Sequence, residues 1–315
     1  MHILLSGSLA YDYIMDFPDT FDQHILPDHI HSLNVCFVVE QLKKNYGGTA
    51  GNIAYTMALL EGKPLILAPI GSDSAEYMHH FSKNHVATTY IRTSSTTLTA
   101  SAHITTDKQD NQITAFFSGA CQEATELHVS DVKEPISFVM ISPTQKEAMI
   151  QHAKECHEAH IPFCFDPGQQ ITAFSDQEMM QVIGQANFYI VNDYEMKLTT
   201  DKTGWDKEEL LNHVDVLIIT LGEKGSVIAT KEQTFEIPPC APTSVDDPTG
   251  AGDAYRAGFF TAYVQGHDYQ TCGQVGSVAA AYAIEQYGTQ HHSFTLDTFV
   301  ARYKETYGET IDLVM

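Results

Sequence analysis

The amino-acid sequence predicts an α/β fold with a mostly parallel central sheet, helices on both faces, and a small β-sheet lid. Short segments rich in Val, Ile, Leu and Phe alternate with helical patterns along the chain. These segments are apolar throughout, which is typical of strands that helices cover on both faces. Other segments mix polar and apolar residues in a two-residue period, which indicates half-exposed strands outside the main sheet.

The strands of the main sheet are predicted at residues 3–6, 65–69, 138–142, 163–166, 188–191 and 216–220. Helices are predicted between them at residues 50–60, 146–159, 176–185 and 207–213. This repeated strand–helix–strand order favours parallel strands, because each helix returns the chain to the same end of the sheet.

The half-exposed strands are predicted at residues 13–16, 35–39, 99–105 and 113–117. The chain shows no internal repeat and no low-complexity linker, so we expect residues 1–315 to form a single domain. The lid strands are insertions into this domain, at about residues 13–40 and 97–118. A small sheet built from them could cover the carboxyl edge of the core sheet.

The composition argues against several classes of function. Of 315 residues, 17 are Lys or Arg and 40 are Asp or Glu, which gives a formal net charge of −23. This sign disfavours nucleic acid and anionic membrane surfaces as partners. The six cysteines include no C-x-x-C pair, and no basic region precedes the first apolar run. No apolar stretch reaches the ~18 residues of a membrane span, so we expect a cytoplasmic protein.

The most informative motif is DDPTGAGDAYRAG, at residues 246–258. Its Pro-Thr pair favours a turn into a helix, and Gly250, Ala251 and Gly252 leave backbone N–H groups uncovered at the helix start. Such groups, with the positive end of the helix dipole, can bind an anion. Asp253 in the first turn could accept a hydroxyl proton, so the pair suits phosphoryl transfer. The alternative is a tight loop followed by an acidic first turn.

A second motif, GGTAGN, begins at Gly47 and also enters a helix. The bare backbone of Gly48 would let a ligand approach closely, and the Asn52 amide offers a donor and an acceptor to hydroxyl groups. The alternative is an ordinary strand-to-helix loop. Asp12, which follows the first strand and its turn, could accept hydrogen bonds from two neighbouring hydroxyl groups.

Two further motifs follow predicted strands. Asn192 and Glu195 share one face of a first helical turn, which suits water-mediated Mg²⁺ near phosphates; the alternative is helix capping. Thr220, Gly222 and Gly225 form a glycine turn at the carboxyl end of the next strand, where open α/β sheets bind ligands. The alternative there is a simple turn built on two glycines.

Taken in this order, the motifs resemble the ribokinase-like (PfkB) carbohydrate and nucleoside kinase family, and the resemblance covers the whole chain. Within the family the sequence is most similar to bacterial adenosine kinases. The stretches that carry this similarity are residues 17–31, 37–52, 166–170, 192–195, 203–205 and 288–290.

The resemblance implies a role for each motif. Asp253 is the base that faces the acceptor hydroxyl, and Gly250, Ala251 and Gly252 supply the anion hole. The residues implied to contact the nucleoside are Asp12, Gly48, Asn52, Phe116, Gln169 and Gln170. Those implied to border ATP are Asn192, Thr220, Gly222 and Gly225. Asn192 and Glu195 are implied to organise Mg²⁺ and its waters, and Asp247 matches a position associated with a monovalent cation, so K⁺ stimulation is expected.

One position departs from the adenosine-kinase pattern. These enzymes hold the base between two aromatic rings of the lid, and Phe116 matches one of them. Ala102 stands where the other ring is expected. The neighbouring rings that could compensate are His103 and Phe117.

The resemblance implies ATP-dependent phosphorylation of the 5′-hydroxyl of a purine nucleoside, with adenosine converted to AMP in purine salvage. The alternative within the family is a small-sugar kinase, and a third reading is a nucleotide-binding protein without catalysis. The expected partners are ATP and a nucleoside, and two copies could pair through the lid strands. We also expect the helix dipole to lower the pKa of Asp253.

Overall fold

A computed structural model describes residues 2–25, 34–109 and 111–313. Residues 26–31, which belong to one of the stretches that carry the family resemblance, lie outside this description. The described residues form a nine-stranded sheet and a separate four-stranded sheet. Within the described part of the chain, no helix is long and apolar enough to cross a membrane.

The nine-stranded main sheet has the spatial order β13-β12-β11-β10-β9-β8-β1-β4-β5. Its strands are β1 (His2–Ser6), β4 (Pro64–Ile70), β5 (Ile91–Thr93), β8 (Ile136–Ile141), β9 (Phe163–Phe165), β10 (Phe188–Asn192), β11 (Val216–Thr220), β12 (Ser226–Ala229) and β13 (Thr234–Ile237). Strands β5 to β11 in this order are parallel, and the hairpin β12–β13 adds an antiparallel edge. The predicted mostly parallel sheet is therefore confirmed.

Helices cover both faces of the main sheet. The helices of the described residues are α1 (Phe21–His24), α2 (Thr49–Leu59), α3 (Ala75–Lys83), α4 (Lys146–Glu158), α5 (Asp176–Ile183), α6 (Asp193–Thr203), α7 (Lys207–Leu210), α8 (Ala251–Val264), α9 (Tyr269–Ile284) and α10 (Leu296–Tyr307). The short α1 lies outside these two layers, where its Phe21 N–H donates to Asp107 Oδ2 at 3.0 Å. Successive side chains of β1 show the two layers, since Ile3 and Leu5 join one apolar cluster and Leu4 joins the other. Burial on both faces explains why these strands are apolar throughout.

The lid is the four-stranded sheet β3-β2-β6-β7. Its strands are β2 (Ala10–Asp16), β3 (Gln41–Gly47), β6 (Ala100–Thr106) and β7 (Gln112–Phe117). Because β2 follows β1 after a short turn, the lid starts at the carboxyl edge of the main sheet.

Two predictions about the elements are wrong, and one pair of strands is missed. Residues 35–39 form no strand; the lid strand lies at Gln41–Gly47, beyond the predicted bound at residue 40. Its first four residues are exposed, so pairing with β2 and not burial selects this segment. Helix α7 ends at Leu210, and the edge hairpin β12–β13 was not predicted.

Candidate active site

A polar cavity of about 450 Å³ lies at the carboxyl edge of the main sheet. It is lined by residues from several predicted motifs, among them Asn192, Glu195, Thr220, Gly222, Gly250 and Asp253. Ligands of open α/β sheets bind at this edge, because the loops that follow the parallel strands converge there.

Helix α8 begins at this cavity with Gly250 as its N-cap residue. Gly250 has φ = 84°, in the left-handed region that favours glycine. A Cβ atom at this position would lie 3.0 Å from Cγ2 of Thr289. Since glycine has no side chain to cap the helix, the positive dipole end and the Gly252 amide face an anion without a capping side chain, whereas the Ala251 N–H donates to the backbone oxygen of Pro248 at 3.3 Å.

Asp253 is the third residue of α8, and its Oδ2 accepts a 2.8 Å hydrogen bond from Nδ2 of Asn52. Asn52 lies in the first turn of α2, whose N-cap residue is Gly48. A Cβ atom on Gly48 would lie 2.6 Å from the backbone oxygen of Ser8, so the chain could not pass here with a side chain. The fold thus joins the two motifs that the sequence singled out separately.

The Asp253 carboxyl group has an unusual affinity for protons. Burial, the largest cause, raises its pKa to about 6, while the nearby Arg256 charge and the Asn52 hydrogen bond oppose the rise. The expectation that the helix dipole lowers this pKa is therefore wrong, because desolvation of the charged form outweighs it. A pKa near 6 makes Asp253 a better proton acceptor than an ordinary carboxylate.

A buried ion pair lies below the helix start. Arg256 contacts both carboxylate oxygens of Asp166, with Nε 2.6 Å from Oδ2 and Nη2 2.7 Å from Oδ1. The Arg256 Nη1 also donates to the backbone oxygen of Gly252 at 3.0 Å. Arg256 thereby ties the Asp166 carboxylate to the backbone at the start of α8, because a planar guanidinium holds both partners in one geometry.

The lid places one row of residues on one of its faces. Cross-strand register pairs Asp12 with Asn45 on one side and with Ala102 on the other, and Ala102 with Phe116. The Phe116 side chain is 61% exposed. Burial, with the Asp247 charge as a smaller cause, raises the pKa of Asp12 to about 6.

His103 and Phe117 do not replace the ring that Ala102 lacks. Side chains alternate along a strand, so both residues face away from the row that contains Ala102 and Phe116. His103 stacks instead on Tyr13, with ring centroids 4.9 Å apart. Neither residue therefore supplies a second ring on the face that carries Phe116.

Helix α6 begins at the same cavity, but its N-cap residue has a side chain. Asn192 Oδ1 accepts from the backbone N–H of Glu195 at 2.7 Å, and Glu195 Oε2 accepts from the backbone N–H of Asn192 at 2.8 Å. This reciprocal capping box uses one oxygen of each side chain. Burial is the largest cause that raises the pKa of Glu195.

A second cavity, of about 530 Å³, adjoins the polar one through Thr220, Gly222 and Gly252. It also contains Gly225, and its other walls are largely apolar side chains, including Pro239, Pro242, Val245, Ala280 and Ile284. A flat apolar ring fits such a cavity, and a charged group attached to that ring would extend into the polar cavity.

The remaining predicted residues lie at the edge of the polar cavity or outside its lining. Gln169 lines the polar cavity, whereas Gln170 is outside its lining. Asp247 joins two loops, since its Oδ1 accepts from Thr249 N–H at 2.9 Å and its Oδ2 from Gly288 N–H at 3.1 Å.

The polar cavity offers few side-chain oxygen atoms that could bind a cation directly. Across the described residues, no three His, Cys, Asp or Glu side chains form a group that could hold a metal ion. Glu195 retains one carboxylate oxygen outside the capping box. This donor set fits a hydrated Mg²⁺ whose other ligands are phosphate oxygens, which is the usual arrangement for this ion.

Sequence reasoning gave no role to Arg256, Asp166 or Gln290. Gln290 Nε2 donates to Asn52 Oδ1 at 2.9 Å, so it lies directly behind the residue that contacts Asp253. The signal available for Arg256 was its position three residues after Asp253, which places both on one helix face. Asp166 and Gln290 lie in stretches of family resemblance, but their partners are distant in sequence.

Known proteins match this chain along almost all of its length. The model of the pfkB family of carbohydrate kinases matches residues 13–295. A nucleoside kinase of Methanocaldococcus jannaschii is 33% identical over 301 residues, which cover 95% of each chain. The nucleoside kinase of Burkholderia thailandensis in complex with inosine has a TM-score of 0.89 and 36% identity, with 98% of this chain and 99% of that chain covered.

The same B. thailandensis enzyme is also known in complex with ADP-inosine, with a TM-score of 0.86, 38% identity, and 98% of this chain and 97% of that chain covered. The family match extends through both motifs that meet at Asp253. Together with the ribokinase-like fold, these similarities show that the chain is a kinase of the pfkB family.

Proposed function

We propose that this protein transfers the γ-phosphoryl group of ATP to the 5′-hydroxyl of a purine nucleoside. The observation that carries the proposal is the hydrogen bond between Asn52 and Asp253, which brings the two glycine motifs together at the head of the polar cavity. The names of the M. jannaschii and B. thailandensis relatives support a nucleoside as the acceptor.

In the proposed reaction, the 5′-hydroxyl oxygen attacks the γ-phosphorus as the bond to the ADP oxygen breaks. The hydroxyl proton passes to Asp253, whose pKa of about 6 leaves it mostly ionised at neutral pH. The amides of Gly250, Ala251 and Gly252 would hold the transferred group. Phosphoryl transfer depends mainly on positioning and on neutralisation of charge, which these groups supply.

On the donor side, the adenine ring of ATP would occupy the apolar cavity beside Gly225, and its phosphates would extend along Thr220 and Gly222. The complex of the B. thailandensis enzyme with ADP-inosine supports a nucleotide donor. Asn192 and Glu195 would hold Mg²⁺ through its waters. When bound, Mg²⁺ neutralises charge on the phosphate oxygens.

On the acceptor side, Asp12, Gly48 and Asn52 would hold the ribose hydroxyl groups. Phe116 would stack on the base from the lid, and Gln169 and Gln170 would contact the nucleoside. Adenosine as the best acceptor rests on the resemblance to adenosine kinases. The inosine complex of the B. thailandensis relative makes inosine the competing purine nucleoside.

The test is a panel of acceptors assayed with MgATP: adenosine, inosine, guanosine and ribose. We expect a purine nucleoside to give the highest kcat/KM, with a nucleoside 5′-monophosphate identified by mass spectrometry. A free sugar with a much higher kcat/KM would replace the proposal by the small-sugar kinase. Release of ADP without a phosphorylated acceptor would refute both.

A substitution in the lid tests whether the base lies against it. Ala102→Phe places a ring beside Phe116 on the same face of the sheet. A stack between a base and an aromatic ring contributes about 1–3 kcal/mol, so KM for the nucleoside should fall by roughly 5-fold or more. KM for ribose should not change. An unchanged nucleoside KM would show that this face does not contact the base.

We further propose that residues 1–315 act as one catalytic unit in the cytoplasm. A second proposal is that Asp247 contributes to stimulation of the enzyme by K⁺. A third is that two copies of the protein pair through the lid. Strand β7 supports the pairing, because it lies at the edge of its sheet and Ile113, Phe116 and Phe117 are exposed. Light scattering behind a sizing column tests the pairing, and assays with K⁺ or Na⁺ salts test the stimulation.

A further inference from the structure

Behind Asn52, a chain of buried hydrogen bonds runs away from the cavity. Gln290, which is 2% exposed, donates from Nε2 to Asn52 Oδ1 at 2.9 Å and to the hydroxyl of Tyr77 at 2.6 Å. Gln290 Oε1 lies 3.1 Å from Nε2 of His80. Helix α3 supplies Tyr77 and His80, whereas Asn52 belongs to α2 and Gln290 follows α9.

The donors and acceptors in this series of hydrogen bonds allow only one consistent placement of the protons. The Tyr77 hydroxyl donates its single proton to the backbone oxygen of Gly47 at 2.7 Å, so its oxygen must accept from Gln290. Both Gln290 amide protons are then used, and its Oε1 needs a donor. His80 supplies this donor if Nε2 carries the proton.

The other ring nitrogen of His80 fits the same assignment. The Asn84 amide donates to the backbone oxygen of His80 at 2.8 Å and lies 3.4 Å from its Nδ1. Burial, the largest cause, lowers the pKa of His80, so the ring stays neutral with one proton. That proton is on Nε2, because Nδ1 faces a donor.

We propose that His80 and Gln290 are positioning residues that determine which end of the Asn52 amide faces Asp253. The proton on His80 Nε2 holds Gln290 Oε1, which directs Gln290 Nε2 to Asn52 Oδ1. Asn52 Nδ2 is thereby left to donate to the Asp253 carboxylate. The catalytic part of this inference rests on the proposed role of Asp253 as the base.

Loss of the His80 proton would let both amides reverse, with the Tyr77 hydroxyl turning its proton from the Gly47 oxygen to Gln290 Oε1. Gln290 Oε1 would then face Asn52. The Asn52 amide would turn its Nδ2 toward Gln290 Oε1, and its Oδ1 would then lie against the Asp253 carboxylate. Two acceptors in contact repel, and loss of a donated hydrogen bond raises a carboxyl pKa. The other charged groups near Asp253 are Arg256 on its own helix, Asp166 after β9 and Asp12 on the lid, and the substitution of His80 changes none of them.

The first experiment is a double-substitution cycle on thermal stability, which needs no enzymatic activity. His80→Phe keeps a ring to stack on Tyr46, where the centroids are 4.0 Å apart, but removes the Nε2 proton. In an Asp253→Asn background, residue 253 can turn its own amide to donate to a reversed Asn52. We therefore expect the fall in Tm caused by His80→Phe to shrink by about half or more in that background.

The matched control is His152→Phe. His152 is also buried and uses both ring nitrogens, with Nδ1 2.7 Å from Ser6 Oγ and Nε2 2.8 Å from Leu127 O. None of these three residues lines either cavity. Its fall in Tm should be the same in the wild-type and the Asp253→Asn backgrounds, because distant substitutions are usually additive.

The second experiment measures kcat/KM against pH. His80→Phe should move the acidic limb of this profile upward by about half a pH unit, which lowers kcat/KM by about 3-fold on that limb, with KM for ATP unchanged. His80→Gln places an amide donor near the original Nε2 and should restore the wild-type limb. If His80 has a purely structural role, His80→Phe should lower the folded fraction without moving the acidic limb of the kcat/KM profile.

The outcomes separate this inference from the proposed function. Additive Tm changes in the cycle would overturn the inference, and so would an acidic limb that His80→Phe leaves in place. A non-additive cycle in a protein that phosphorylates no acceptor would support the positioning role and contradict the proposed function.

Discussion

Helices α6 and α8 both begin at the polar cavity, and both have an acid as their third residue, yet the two acids have different partners. At α6 the N-cap residue is Asn192, and Glu195 closes a capping box with it. At α8 the N-cap residue is Gly250, which has no side chain to close one. Asp253 instead receives its hydrogen bond from Asn52 of another helix.

The difference teaches that the N-cap residue decides what an acid in the first turn can do. An acid in a capping box satisfies the amides of its own helix, which stabilises the helix start. An acid behind a glycine N-cap leaves those amides to an external anion and its own carboxylate to an external proton. We therefore expect chemistry at α8, and support of its ligands at α6.

The largest effect is expected from Asp253→Asn. It removes the proposed proton acceptor but keeps the shape, so kcat should fall by about 10²–10⁴-fold with a far smaller change in nucleoside KM. Because burial raises the pKa of Asp253 to about 6, its charge destabilises the folded protein at pH 7. Loss of this charge should raise Tm by roughly 2–5 °C, for about 1–2 kcal/mol. A variant with lower Tm and near-normal kcat would make Asp253 a structural residue.

The next effect is the pH dependence of the wild-type enzyme. Asp253 and Asp12 both have pKa values raised to about 6, so kcat/KM should fall by about 10-fold or more per pH unit below that value. The sign for stability is opposite. Between about pH 4 and 6 the folded state binds more protons than the unfolded state, so the free energy of unfolding contributed by these groups decreases as pH rises.

Stability measurements across this range check the sign directly. The Tm gain of Asp253→Asn over the wild type should be small near pH 4 and should grow toward pH 7. A gain that is constant over this range would mean that Asp253 keeps an ordinary pKa in the folded protein.

A smaller effect is expected from Glu195→Gln. Glutamine also closes a capping box, so Tm should change little. The lost charge should raise KM for MgATP by roughly 3- to 10-fold, because a carboxylate that orders metal-bound water supports the cation. The matched control is Glu178→Gln in the capping box of α5, which lies outside both cavities and should leave this KM unchanged.

The smallest effect is expected from Asn192→Ala, which removes an N-cap side chain and should cost about 1 kcal/mol of stability. Ser175→Ala removes the corresponding cap of α5. Both should lower Tm to a similar extent, but only Asn192→Ala should also raise KM for MgATP. Equal KM values in the two variants would confine Asn192 to helix capping.

Much of the fold was predictable from local patterns. The central strands are apolar throughout because both faces are buried, and this composition is visible in a single sequence. The lid strand β3 was placed too early, because its exposed residues carry little burial signal and its bounds depend on pairing with β2. The edge hairpin β12–β13 was missed for a related reason, since its outer strand is largely exposed.

The candidate site was predicted as separate motifs. The sequence by itself determined the glycine at the start of α8, the acid three residues later and the second glycine motif with its Asn52, because turn and helix-start preferences are local. Only the tertiary structure decided that Asn52 meets Asp253, that Arg256 pairs with Asp166, and that burial raises the pKa of Asp253. Hydrogen bonds and desolvation depend on which distant residues come together, and packing of the whole chain settles that.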